Sequence, residues 1–187
     1  IPVLLEDILE YLNKFKISNG IIIDATFGLG GYSNAFLEKT NCNVFGFDRD
    51  PDVKKYANKL KNKYRNRFKF FQNKFSDIGD IISNEKGNKS DVKAIIFDLG
   101  ISNLQLKKNE RGFSFQYDGP LDMRMSQKGL KAFDVVNNYS LNELANILYT
   151  LGDERYSRKI AKQILKNREN KAITTTLELA QIIRKTV

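Results

Sequence analysis

The sequence predicts an α/β fold organised around a parallel sheet. Four short apolar runs alternate with segments of helical periodicity, and each run ends at a polar or glycine-rich turn. The first run, I-I-I-D at positions 21–24, leads directly into A-T-F-G-L-G-G at positions 25–31. An uninterrupted apolar run of this kind is typical of a strand that is buried on both faces. We therefore expect a central strand whose carboxyl end faces a ligand.

The amino-terminal segment predicts an amphipathic helix over residues 3–15. Its apolar residues recur at helical spacing, with charged residues between them, and S-N-G at positions 18–20 ends the helix. Glycines at positions 28, 30 and 31 allow a tight turn after the first strand. A second helix is then expected from Tyr32 or Ser33, with its free N–H groups directed at the ligand.

The second strand, residues 43–47, ends in D-R-D-P at positions 48–51. Proline suits the first turn of a helix and Asp50 suits its N-cap, so a helix is predicted to run to about Tyr64. A third strand at 67–72, a short helix at 78–82 and a polar loop lead to the fourth strand at 92–97. Because parallel strands share one carboxyl edge, the acids and glycines that follow them should converge on one crevice.

The pattern changes after position 100. Residues 109–125 show no helical or strand period, yet they are rich in Gly, Phe, Asp, Arg and Met, and long irregular segments in compact domains tend to be functional. Helices are predicted over 141–151, 153–170 and 176–185, the last capped by Thr175 or Thr176. We thus predict an α/β domain over 1–100 and, over 101–187, an irregular substrate loop followed by a helical subdomain. The basic face of the helix over 153–170 suits a phosphate backbone, although a solvated charged face is the commoner explanation.

The amino-acid composition of the chain narrows the range of possible partners and cofactors. The formal charge of +9 and pI near 9.5 fit a partner rich in phosphate, but abundant Lys, Asn, Ile and Phe would also follow from an A+T-rich genome. One cysteine and no histidine argue against a disulfide and a zinc site. The chain contains no apolar run of about 18 residues, which a membrane-spanning helix would need, and no signal peptide is evident. The sequence does not specify an oligomeric state.

Three strand-end residues are candidate ligand contacts, and two of them also have a structural explanation. Asp48 follows the second strand, where a carboxylate can accept hydrogen bonds from both hydroxyls of a ribose. The dinucleotide fingerprint G-x-G-x-x-G would need Gly or Ala at Ser33, so nicotinamide or flavin binding is disfavoured. Phe75 suits either core packing or a ligand contact, and Asp98 suits either a loop cap or a ligand contact.

The segment from Asp24 to Gly30 resembles the first motif of S-adenosylmethionine-dependent methyltransferases, acid-x-G-x-G-x-G, with Thr26 at the first glycine position. Further segments extend the likeness across the chain: residues 1–6, 24–31, 46–51, 98–102, 111–115, 118–125 and 134–137. In this order they resemble the RsmH (MraW) family of 16S rRNA cytosine-N4 methyltransferases. The resemblance implies a Rossmann-like class I methyltransferase sheet with an inserted or appended helical subdomain. Family members continue beyond the point matching Val187 to complete the sheet, so the C-terminal part of that fold is expected to be absent.

The resemblance also implies S-adenosyl-L-methionine as cofactor and a set of residues that bind it: Gly30, Gly31, Tyr32, Asp48, Phe75, Asp98 and Gln105. Two positions depart from the family pattern, which has histidine at Tyr32 and a serine-proline pair at Asn103-Leu104. The implied substrate is a cytidine of small-subunit rRNA near the decoding centre, in bacterial cytoplasm in preference to an organelle, with no metal and no membrane involved.

Transfer to an exocyclic amine needs alignment and a hydrogen-bond acceptor, whereas carbon-5 methylation needs a cysteine thiolate. Asp98, helped by Ser102, is therefore predicted to orient the amine, because Cys42 lies at the opposite end of its strand. Two alternatives stay open at this stage: a non-catalytic RNA-binding domain that retains the fold, and an N4-methyltransferase acting on DNA or tRNA. The enzyme is favoured by intact Asp24, Gly28, Gly30 and Asp48, since an RNA clamp needs none of them.

Overall fold

The computed structural model of the chain describes residues 2–85 and 89–187. Ile1, the first residue of the family-like amino-terminal segment, and positions 86–88 of the polar loop before the fourth strand lie outside the described residues. The chain divides into two compact units, residues 1–100 and residues 101–187.

The first unit contains a four-stranded parallel sheet with the order β3-β2-β1-β4. Its strands are β1 (Ile21–Asp24), β2 (Asn43–Phe47), β3 (Phe68–Phe71) and β4 (Val92–Ile96). Its helices are α1 (Leu5–Lys14), α2 (Gly31–Lys39), α3 (Lys54–Tyr64) and α4 (Ile78–Asn84). The predicted α/β fold with a parallel sheet is confirmed.

Strand β1 is central because its residues are the most consistently apolar of the sheet. All four are buried, including Asp24, which pairs in register with Gly46 of β2 and Ile96 of β4. From β1 the chain adds β2 and β3 on one side and then returns to place β4 on the other. The strand order therefore reverses between β1 and β4, and in open parallel sheets ligands bind at such a point, outside the carboxyl ends of the strands.

Helix α3 illustrates how local sequence sets an element boundary. A 3-10 turn, Pro51–Val53, precedes it, and the Asp50 carboxylate accepts a hydrogen bond of 3.0 Å from the Asp52 N–H. The predicted capping role of Asp50 is confirmed. Since this cap sits directly after β2, it also fixes the direction in which the chain leaves Asp48.

The second unit is mostly helical, with a long irregular segment between its first and second helices. It contains α5 (Asn103–Lys107), α6 (Ala132–Asn138), α7 (Leu141–Thr150), α8 (Ser157–Arg168) and α9 (Thr176–Arg184). Its core consists of buried side chains of α6, α7 and α8 together with Leu121 and Ile173, and partly buried residues of α9 pack against it. Apolar residues at helical spacing on α7 and α8 account for this packing.

Residues 109–125 are irregular except for one 3-10 turn, Asn109–Arg111, as their lack of period predicts. They are nevertheless firmly attached to the helices, because the Leu121 N–H donates to the Thr174 carbonyl at 3.1 Å and the Phe133 N–H donates to the Leu121 carbonyl at 2.7 Å. Gly112 has φ 68°, and a Cβ there would lie 2.1 Å from the Pro120 carbonyl oxygen. Only glycine fits that crossing of the chain.

Helix α8 begins later than the sequence predicts. Asp153 has a positive φ of 50°, which a helix cannot contain, and the Glu154 carboxylate accepts a hydrogen bond of 2.7 Å from the Tyr156 N–H. Residues 153–156 therefore form a turn, and the helix spans Ser157–Arg168 in place of 153–170. Among the helices in the described ranges, none is both long enough and apolar enough to cross a membrane.

Candidate functional site

The carboxyl edge of the sheet carries a carboxylate that is held in place by two backbone amides. Asp48 follows β2, and its Oδ2 accepts a hydrogen bond of 2.8 Å from the Gly28 N–H, while its Oδ1 accepts one of 2.9 Å from the Asp50 N–H. The side chain is only partly buried. Each carboxylate oxygen retains a further lone pair, so Asp48 can still accept hydrogen bonds from a ligand in a fixed orientation.

Burial raises the pKa of Asp48 above its ordinary value, and the hydrogen bonds from the Asp50 and Gly28 amides oppose that rise. The nearby Asp50 carboxylate adds to the rise, and Arg49 opposes it. The carboxylate thus ionises less readily than an exposed one, although the two amides favour its charged form.

The glycines of the loop do not all have the role that the sequence suggested. A Cβ on Gly30 would lie 2.7 Å from the Phe27 ring, and one on Gly31 would lie 2.6 Å from Cγ of Pro2. A Cβ on Gly28 would meet only the Thr26 carbonyl, at 3.8 Å. Gly30 and Gly31 are therefore required by packing within the first unit, and Gly28 leaves open space beside the Asp48 carboxylate.

Thr26, which departs from the glycine motif, has a structural role of its own. Its hydroxyl accepts a hydrogen bond of 2.8 Å from the Asp98 N–H, joining the loop after β1 to the segment after β4. A glycine could not make this bond. The exposed Asp98 carboxylate is thereby presented from a backbone that is fixed at the switch point of the sheet.

Tyr32 lies in the first turn of α2 and points away from solvent. Its ring is 6% exposed, and its hydroxyl donates a hydrogen bond to the Val3 carbonyl. Burial raises its pKa, and the carboxylates of Asp98 and Asp24 raise it further. The side chain therefore holds the amino-terminal segment over the loop, and only the backbone of Tyr32 is open to the cofactor role predicted for it.

Phe75 is half-exposed, at 49%, and contacts the equally exposed Phe97 edge-on, with ring centroids 5.6 Å apart and planes at 87°. Core packing, the alternative explanation of Phe75, does not fit this exposure. The two rings form an apolar wall beside the carboxyl end of β4. Sequence reasoning missed Phe97 as part of this wall, although its position directly before Asp98 was a usable signal.

Asp24, at the end of β1, is fully buried. Its Oδ2 accepts a hydrogen bond of 2.7 Å from the Ser33 hydroxyl, but its Oδ1 has no partner at ordinary hydrogen-bonding geometry in the described part of the chain. Burial raises the pKa of Asp24 from 3.8 to about 6, against the opposing effect of Ser33 and the nearby amides of Thr26 and Ser33. A fully buried acceptor whose partners lie outside ordinary hydrogen-bonding geometry disfavours the charged carboxylate, in keeping with the raised pKa.

We expect Asp24→Asn to flatten the pH dependence of stability. Between pH 3.8 and about 6 the folded chain retains a proton that the unfolded chain has released, so the free energy of unfolding falls as pH rises through this window and then levels off. A pKa change of this size corresponds to about 3 kcal/mol. Asparagine can still accept the Ser33 hydroxyl but does not titrate.

Urea unfolding at pH 4 and pH 7.5 measures this effect. The free energy of unfolding of the variant minus that of the parent should be up to about 3 kcal/mol larger at pH 7.5 than at pH 4. Asp80→Asn, a change at an exposed carboxylate on α4, is the matched control and should track the parent at both pH values. Parallel profiles for the parent and Asp24→Asn would contradict the expectation.

In the second unit, Ser102 and Gln105 interact with each other. The Ser102 Oγ accepts a hydrogen bond of 3.3 Å from the Gln105 N–H, and the Gln105 Oε1 accepts one of 2.9 Å from the Ser102 N–H. This is a capping box at the start of α5, and Gln105 is buried. The predicted catalytic help from Ser102 and cofactor contact from Gln105 stay predictions, whereas their capping role, readable from S-x-x-Q, was missed.

No cluster of three or more His, Cys, Asp or Glu residues suited to a metal ion occurs within residues 2–85 and 89–187. Six of the seven predicted cofactor residues, one of which is also the predicted catalytic residue Asp98, belong to the first unit and follow its strands or begin α2: Gly30, Gly31, Tyr32, Asp48, Phe75 and Asp98. The arrangement offers a fixed carboxylate, an open glycine and a half-exposed aromatic wall. It suits a ligand with a ribose and a flat ring.

Known proteins resemble the chain over its whole length. Three curated relatives carry the name "Ribosomal RNA small subunit methyltransferase H". The one from Orientia tsutsugamushi (strain Boryong) is 46% identical over 186 residues, with 100% of this chain and 58% of the relative covered. Those from Zymomonas mobilis and from the Wolbachia of Drosophila simulans (strain wRi) are 43% and 44% identical, again over 100% of this chain, and 54% and 62% of their lengths are covered.

The chain thus spans less than two thirds of the length of these relatives. A sequence profile of the MraW methylase family matches residues 1–187, which is every position from the amino-terminal segment through the glycine loop to α9. The parallel sheet places its acids outside the carboxyl ends of the strands, where open α/β sheets bind ligands. The chain belongs to the MraW methylase family.

Proposed function

We propose that this chain forms the cofactor-binding and RNA-contacting part of an S-adenosylmethionine-dependent methyltransferase. Its substrate is the N4 amine of a cytidine in small-subunit (16S) rRNA, near the decoding centre, in bacterial cytoplasm. The observation that carries the proposal is the Asp48 carboxylate, oriented by the Gly28 and Asp50 amides next to the open Gly28. Membership of the methylase family supports the reaction class, and the name shared by the relatives supports the substrate.

The residues of the first unit fit the cofactor. Asp48 has free lone pairs for two ribose hydroxyls, and the Phe75 ring offers an apolar face for adenine. Gly28 leaves room for the ligand beside the Asp48 carboxylate. Gly30, Gly31 and the Tyr32 backbone belong to the same loop and start of α2, whose N–H groups suit a carboxylate. We extend the role of cofactor ligand to Asp98 and Gln105 on the family resemblance alone.

Bound S-adenosylmethionine supplies an electrophilic methyl group on a sulfonium. The protein then has to align the cytosine amine with that methyl group and accept a hydrogen bond from the amine. Asp98 is suited to this task because its carboxylate is exposed while its backbone is tied to the Thr26 hydroxyl. Ser102 is proposed to assist from the following segment. Cys42, the only cysteine, is fully buried at the start of β2 and cannot serve as a nucleophile.

Two measurements test the proposal. Calorimetric titration should detect binding of S-adenosylmethionine to the full-length protein, and nuclease digestion with mass spectrometry should find N4-methylcytidine in 16S rRNA only from cells that carry the gene. Complementation with an Asp48→Ala gene should not restore the modified nucleoside. Unchanged rRNA, with the modification lost from tRNA or DNA, would overturn the substrate and leave the cofactor site standing. Absence of cofactor binding would favour the non-catalytic RNA-binding alternative.

A further inference from the structure

The second unit has a pocket of its own, with a volume of about 420 Å³, between the end of α7 and the start of α8. Three cationic and two aromatic side chains line it together with Asn146: Arg155, Arg158, Lys159, Tyr149 and Tyr156. Its floor belongs to the packed helical core, because Ala145 and Ser157 are each 4% exposed and the following Ile160 is 1% exposed. The lining side chains therefore project from well-packed helices.

The charged side chains that line this pocket are all cationic, although Asp153 and Glu154 precede Arg155 in the turn before α8. From Arg155 to Arg168 the chain carries six cationic residues and no acidic one. Lys162 follows Arg158 at helical spacing, which extends the basic surface along α8. Within the described ranges, none of the pocket cations forms an ion pair. A cationic pocket whose charges are not neutralised internally attracts a polyanion.

The aromatic rings of the pocket face solvent. Tyr149 is 63% exposed and Tyr156 is 45% exposed, so both side chains leave area that a ligand can cover. The Arg155 guanidinium lies 5.1 Å from the centre of the Tyr156 ring, so a cation and an aromatic face are already joined. Exposed aromatic faces with adjacent cations are the arrangement by which proteins bind unpaired nucleotides.

We propose that this pocket binds an unpaired nucleotide of the RNA substrate at a position other than the methylated base. The base stacks on Tyr149 or Tyr156, and the flanking phosphates contact Arg155, Arg158 and Lys159. The proposal rests on the proposed function, because RNA as the occupant follows from it. Single-stranded RNA is the form that fits, since stacking on a side chain requires a base that is not stacked in a duplex.

A matched pair of triple variants tests the electrostatic part. Arg155→Gln/Arg158→Gln/Lys159→Gln removes three charges at the pocket, and Lys54→Gln/Lys55→Gln/Lys59→Gln removes three from α3 in the first unit, where two lysines also lie near a tyrosine ring. The variants are made in the full-length protein, and binding of a labelled single-stranded RNA 12-mer is measured by fluorescence anisotropy. The pocket variant should bind at least roughly tenfold more weakly than the parent. The slope of its log binding constant against log salt concentration should be smaller in magnitude by about 2. The α3 variant should change affinity by less than about threefold.

Tyrosine variants test the stacking part. Tyr149→Ala and Tyr156→Ala should each weaken RNA binding by roughly fivefold or more if their ring carries the base, whereas Tyr149→Phe and Tyr156→Phe should retain affinity. A 12-mer containing 2-aminopurine should lose fluorescence on binding the parent and not on binding the double alanine variant. If neither alanine change alters affinity or quenching, stacking in this pocket is wrong.

The outcomes separate this inference from the proposed function, because S-adenosylmethionine binding is measured on the same samples. Weaker RNA binding by the pocket variant with normal cofactor binding supports both proposals. The same RNA result without any cofactor binding supports the pocket and overturns the methyltransferase. Equal RNA affinities for the pocket and α3 variants overturn the pocket, whatever the cofactor does, and assign RNA binding to the basic charge of the whole chain.

Discussion

Asp48→Ala is expected to abolish measurable S-adenosylmethionine binding. A hydrogen bond to a charged group contributes about 1.5–3 kcal/mol, so losing two ribose contacts should lower affinity at least about 100-fold. The change also frees the Gly28 and Asp50 amides that the carboxylate now holds, at 2.8 and 2.9 Å, and so loosens the loop beside the ligand. Isothermal titration calorimetry on the full-length protein measures the loss.

Two controls accompany Asp48→Ala. Asp80→Ala removes an exposed carboxylate from α4 and should leave affinity unchanged. Asp48→Asn keeps one acceptor oxygen and should bind with intermediate affinity. Because burial raises the pKa of Asp48, this carboxylate should become protonated at a higher pH than an exposed aspartate would. When the pH is lowered, the affinity of the parent for S-adenosylmethionine should therefore begin to fall at that higher pH. The affinity of Asp48→Asn should not show this fall. Undiminished binding by Asp48→Ala would remove Asp48 from the cofactor site.

The sheet could be predicted from the sequence because parallel strands buried on both faces read as continuous apolar runs. The predicted second strand matches β2, and the predicted third strand, 67–72, exceeds β3 by one residue at each end. Helix boundaries followed the sequence where a cap marked them, as Asp50 and Thr175 do. The start of α8 did not follow the sequence prediction. Asp153 has a left-handed backbone, and that conformation belongs to the turn between α7 and α8.

The site was predictable in its acids and less so in its glycines. Asp48 and Asp98 stand at strand ends, where topology alone directs them to one edge. Sequence could not show that Gly30 accommodates the Phe27 ring, since that contact depends on how the loop packs against α3. Nor could it show that Thr26 accepts the Asp98 N–H, 72 positions away, because the pairing of β1 with β4 creates that contact.

Asp98→Asn is expected to lower kcat for methyl transfer to rRNA by about 10²–10⁴, the range typical of a group that handles a proton in the transition state. The backbone bond of 2.8 Å to the Thr26 hydroxyl survives this substitution, so the segment after β4 should keep its position. Asparagine can still accept a hydrogen bond but carries no negative charge to balance the charge that develops on the amine. The loss should therefore fall on kcat more than on the affinity for S-adenosylmethionine.

Single-turnover assays of the full-length protein with small ribosomal subunits separate these quantities. Asp80→Asn serves as the control for an aspartate change and should be indistinguishable from the parent. Thr26→Val removes the acceptor of the Asp98 N–H and keeps the carboxylate, so it should lower kcat by a smaller factor, about tenfold, through misalignment. If Asp98→Asn retains more than half of the parent kcat, the amine must be oriented by another group, and Asp98 would then be confined to cofactor binding.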